Sequence, residues 1–104
     1  MQARIAKYTY TGDAHQIGRK AEEGLLPIFE AQPGFRAYLV IATDQKIISF
    51  SGWDTADNAE AANVAAAEWV QENLADQIDL KETHIGEVLI STALGVSTKA
   101  GITA

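Results

Sequence analysis

Apolar positions recur every second residue in some stretches of the chain and every third or fourth in others, and that contrast predicts its elements. From Ala3 to Tyr10 the pattern is strand-like: Ile5 falls on one face, while Ala6, Tyr8 and Tyr10 share the other. Thr11-Gly12-Asp13 breaks the strand, and Asp13 offers a helix cap with Gln16 in the capping-box position. The next helix places Ile17, Ala21, Leu25 and Ile28 on its buried stripe and Arg19, Lys20, Glu22 and Glu23 outside. Pro27 lacks a backbone donor and predicts a kink, and Pro33-Gly34 ends the element. Phe35 to Thr43 and Ile47 to Trp53 read as strands, and the polar Asp44-Gln45-Lys46 between them makes the pair an antiparallel hairpin. Asp54 and Thr55 offer cap oxygens to a second helix from Ala56 to about Gln77. Its apolar stripe is thin, Ala59, Ala62, Ala66, Trp69 and Val70, so it can lie close against a sheet. The last strand is expected from about Thr83 to Ser91.

This β-α-β-β-α-β order is that of a ferredoxin-like α+β domain, with a four-stranded antiparallel sheet and both helices on one face. Ala37 to Ala42 has no polar alternation, so that strand needs cover on both sides. The helices supply one cover, and nothing else in the chain is large enough to supply the other. A second copy, packed sheet to sheet, is the expected cover, giving a homodimer with a dimeric α/β barrel. Residues 1–91 form one domain, and 92–104 are a tail of small residues with weak structural signals.

Composition narrows the partners. The 104 residues carry 14 acids and 8 scattered bases, a net charge of −6, so no basic stripe can follow a nucleic-acid backbone. No apolar run approaches the ~20 residues of a bilayer span, so no membrane partner is expected. The N-terminus enters a strand pattern at once without a signal-peptide layout, and the absence of cysteine agrees with the cytoplasm. With no cysteine and two distant histidines, a protein metal site is rejected.

Gln32-Pro33-Gly34-Phe35 enters the second strand, Trp53-Asp54-Thr55 closes the third, and Asn63-Val64-Ala65-Ala66-Ala67-Glu68-Trp69-Val70 runs along the second helix. With Gly86-Glu87-Val88-Leu89-Ile90 at the end, the chain resembles the antibiotic biosynthesis monooxygenase-like family over roughly residues 3–91. The resemblance implies a dimeric α/β barrel and three kinds of activity. Some members oxidise polycyclic phenols or quinols with dioxygen and no bound cofactor, others degrade haem, and many have no assigned reaction. The haem degraders rely on Asn, Trp and His, the last two on the second helix. Here that helix holds no histidine, so haem degradation ranks low.

The expected activity is therefore a small cofactor-independent monooxygenase acting on an electron-rich aromatic such as a quinol or phenol. The alternative is a non-catalytic dimer that binds a small apolar ligand or serves a stress-related accessory role. Such oxygenation needs an apolar cavity and donors for a developing oxyanion. Asn63 stands on the sheet-facing alanine stripe, where it either bonds to a neighbouring element or donates to a ligand oxygen. Trp53, Trp69, Tyr38 and Tyr8 are either core plugs or walls that stack on an aromatic ligand. His84 is a candidate base if it points into the cavity, and otherwise a half-exposed strand-end residue. Arg36 either pairs with Glu87 or another acid at the dimer seam or clamps an anionic substrate group. An enzyme of this kind calls for a cavity of about 300 Å³ or more beneath the second helix.

Overall fold

The structure, a computed structural model, describes residues 1–98. Strands β1 (Gln2–Tyr10), β2 (Phe35–Ala42), β3 (Lys46–Trp53) and β4 (Ile78–Glu87) form one antiparallel sheet in the order β2-β3-β1-β4. Helices α1 (Ala14–Lys20), α2 (Leu26–Glu30) and α3 (Ala56–Asn73) pack on one face of it, and the architecture is ferredoxin-like. The Asp13 side chain accepts from His15 N–H, and Thr55 accepts from Asn58 N–H, so α1 and α3 each start on a side-chain cap.

The first helical segment departs from its expected course. Between α1 and α2 lies a π-helical turn, Ala21–Leu25, in which Leu26 N–H reaches back to the Ala21 carbonyl. The buried residues are Ile17, Ala21, Leu25 and Phe29; Ile28, expected inside, is 37% exposed. The reason is geometric. Four-residue spacing drifts about 40° per step in a regular helix, and three such steps would carry Phe29 about 120° off the sheet. The wider π turn takes up that drift and keeps the four residues in line. The deviation therefore falls in the turn before Pro27, and the proline sits where α2 begins.

Two other boundaries move. The helix expected to reach Gln77 ends at Asn73, and β4 spans Ile78–Glu87 rather than Thr83–Ser91. A register shift between Lys7 and Tyr8 lets the early part of β4 stay paired with β1.

The strand register sets cross-sheet rows. Tyr38, Ser51, Arg4 and Ile85 form one row on the helix side. At that end Trp53 and Phe29, both fully buried, meet edge-to-face with ring centres 5.3 Å apart, and Tyr38 meets Phe29 at 5.1 Å. The other face carries Leu39 and Ile41, 55% and 43% exposed. One end of that face has a cover from the same chain, contrary to expectation. After β4, Val88 N–H donates to the Met1 carbonyl, Ser91 and Val96 pair through two 2.9 Å backbone bonds, and Leu94 lies over Gly52. A Cβ at Gly52 would stand 3.4 Å from the Leu94 methyl, so the row Ala3-Gly52-Ala37 is small where the tail crosses it. The remainder of the expected tail, 99–104, lies outside the described residues.

Candidate functional site

Beneath α3 the sheet offers an unusual group. Arg4 points from β1 toward the helix and is only 1% exposed. Its Nε donates to Asn63 Oδ1 at 2.7 Å. A guanidinium only donates, so the amide turns its oxygen to Arg4 and leaves Nδ2 as a donor. Among the described residues Nδ2 has no partner, Arg4 Nη1 is buried without an acceptor, and Arg4 belongs to no ion pair. The alanines Ala59, Ala62 and Ala66, all fully buried, bring α3 close enough for this contact. Arg4, Asn63 and Tyr8, with Val70, Ile78 and Leu80, line a pocket of about 290 Å³ between α3 and the sheet. That volume falls just under the roughly 300 Å³ expected beneath the second helix, so the space suits only a small molecule.

Tyr8 and Val70 also border an inner cavity of about 30 Å³ shared with Tyr38 and Trp69, which holds no more than a water. Tyr38 continues into an open cleft of about 780 Å³ between α1 and β2, rimmed by His15, Arg19 and Glu22. The Trp69 indole approaches the π turn at Gly24, where a Cβ would meet its Nε1 at 2.6 Å; only glycine fits there.

The expected site residues are therefore distributed. Tyr38 and Trp69 share the inner cavity, and Asn63 lines the neighbouring pocket. Trp53 lies in the core rather than on a pocket wall, its Nε1 donating to Ser51 Oγ at 2.8 Å. His84 does not line the cavity. It pairs with Ile5 in register, on the face away from the helices, and its Nε2 lies 3.2 Å from Glu82 Oε2. His84, and then Lys7 at 3.6 Å, hold the Glu82 carboxyl below its ordinary range. Arg36 bonds to Asp54 of the same chain, not to Glu87. Arg4 is the residue that sequence reading missed: it shares strand parity with Ala6 and Tyr8, a charge on the buried face. No group of three or more metal-ligating side chains occurs among the described residues, and none of their helices is long and apolar enough to cross a membrane.

Burial raises the Tyr38 phenol above its ordinary 10.0, with the Ser49 hydrogen bond and the Arg4 charge opposing part of the shift. A raised folded value means that its contribution to stability is whole below the unfolded value and is lost as pH rises through the folded one. As pH rises past the ordinary tyrosine value of 10.0, urea midpoints are expected to fall more steeply for the native protein than for Tyr38→Phe. Equal slopes would show that the phenol is solvated.

Against solved structures the sheet and helices have clear counterparts. SnoaB from Streptomyces nogalater, a cofactor-independent oxygenase, superposes with a TM-score of 0.68 at 14% identity, over 88% of this chain and 95% of that one. This is the fold of the antibiotic biosynthesis monooxygenases. The monooxygenase ActVA-Orf6 of Streptomyces coelicolor, solved with the ligand nanaomycin D, gives 0.61 at 18% identity, over 86% and 92%. Rv0793 from Mycobacterium tuberculosis gives 0.64 at 12% identity, over 88% and 97%. No family model matches the sequence, and no curated protein does.

Proposed function

We infer that the chain is a cytoplasmic, homodimeric, cofactor-independent monooxygenase of a small phenol- or quinol-type substrate. The observation that carries this is the Asn63 amide: Arg4 pins its oxygen and leaves its N–H donor unused at the wall of a pocket. A donor fixed before the reaction stabilises the oxyanion of an ionised phenol without reorganising. The substrate loses its phenolic proton to water, and the anion passes one electron to dioxygen. The resulting pair combines to a hydroperoxide at a ring carbon bearing hydrogen, and loss of water leaves a carbonyl. One oxygen atom stays in the product, the other leaves as water, and the substrate supplies the electrons. The likeness to a cofactor-independent oxygenase supports the same reaction. Leu39 and Ile41, exposed on the second face, support the pairing of two copies.

Oxygen uptake with a panel of hydroquinones, naphthols and anthrones tests the activity. Asn63→Ala is expected to lower uptake at least about tenfold, or about 1.4 kcal/mol of transition-state stabilisation. No uptake above the buffer rate would favour a dimeric ligand-binding accessory protein. That alternative draws on one observation: His84, the candidate base, lies on the opposite face from Asn63.

A further inference from the structure

Burying a guanidinium is costly unless it is paired, and Arg4 has only a neutral amide for company. At the Arg4–Asn63 end of the pocket the unused groups are one-sided, while Tyr8 and Gln71 on the rest of the lining can accept as well as donate. Arg4 Nη1 and Asn63 Nδ2 are donors, and Asn63 Oδ1, the nearby acceptor, is already taken by Arg4 Nε. A pocket wall offering donors and positive charge is complementary to a group that only accepts and is negative. Around it Val70, Ile78 and Leu80 supply apolar walls, and the 290 Å³ volume matches a ligand of about one ring. Asp79, which also borders this pocket, is bonded to Lys81 at 2.8 Å, so its charge is already compensated.

We propose that the pocket under α3 takes a small aromatic carboxylate, its acid group held by the Arg4 guanidinium beside the Asn63 amide. This rests on the oxygenase reading of the same pocket and narrows the substrate class to aromatic acids, in which the carboxylate anchors and the Asn63 N–H faces the reacting oxygen. The carboxylate supplies the counter-charge that the fold withholds, so ligand binding also completes the buried pair.

Binding is tested without any oxidation step, so its failure and that of the oxygenase reaction are read separately. Benzoate and benzamide, nearly equal in shape, are titrated into the native protein by calorimetry. Benzoate is expected to bind at least about tenfold more tightly, a preference that one charge-assisted contact supplies. Asn63→Asp places a carboxylate inside the pocket against Arg4. It is expected to fold, to melt no lower than the native protein, and to lose the preference for benzoate. Arg4→Gln is expected to lose it as well. Equal binding of the two ligands by the native protein would overturn the proposal, as would full retention of the preference in a folded Asn63→Asp variant. Inorganic phosphate competing as well as benzoate would also overturn it, by showing a site for any anion rather than an aromatic acid.

Discussion

Replacing Trp53 with alanine is expected to lower the stability of the fold by about 3–5 kcal/mol, a large share of what a domain of this size possesses. The indole is fully buried, and its loss removes more than its own transfer energy. Phe29 meets it edge-to-face at 5.3 Å and Phe35 at 5.4 Å, and both rings would border the void. Ser51 Oγ would also lose its donor inside the protein. The hole lies where α2, β2 and β3 converge, and none of these backbones can collapse into it without disturbing the sheet register. Urea denaturation at neutral pH measures the effect; a loss below about 1 kcal/mol would mean that the site relaxes freely.

The second large effect concerns assembly. Leu39 and Ile41 project from the open face of β2, and lysine at both positions is expected to convert a dimer into a monomer that keeps its circular dichroism spectrum. A stable interface buries about 800 Å² per partner, and two ammonium groups in its apolar centre would cost several kcal/mol, a change of at least a thousandfold in dissociation. The same face carries Lys7, Glu82 and His84 as a bonded group, so its polar part is already satisfied within one chain. Sedimentation of both proteins measures the outcome. A native protein that sediments as a monomer at micromolar concentration would remove the dimer from the proposed function.

Much of the fold is legible in the sequence because each element announces its period. The hairpin between β2 and β3 comes from three polar residues between two apolar runs, and the Asp13 and Thr55 caps come from residue type. The start of β4 is less legible, since Ile78 comes soon after the end of a helix and stays paired only through the register shift at Lys7. Asn63 is conspicuous as a lone amide on an alanine stripe. Arg4 is not, because a base near a terminus reads as a surface residue until strand parity places it beside Ala6 and Tyr8. The position of His84 turns on one residue of register: its neighbours Thr83 and Ile85 face the helices and it does not. The tail's return across Gly52 has no sequence signature beyond small residues.

The π turn has a bearing on how this chain tolerates changes of length. Dropping one residue from Ala21–Leu25 would let the segment close into a continuous α-helix. The helix on the N-terminal side of the deletion would then turn by about 100° relative to α2. Ile17 would leave the sheet while Phe29 stayed on it, and the backbone that lets the Trp69 indole lie against Gly24 would shift away. Homologues with a shorter first helix are therefore expected to differ at the positions of Gly24 and Trp69 together, so that an insertion or deletion there travels with a compensating substitution on α3.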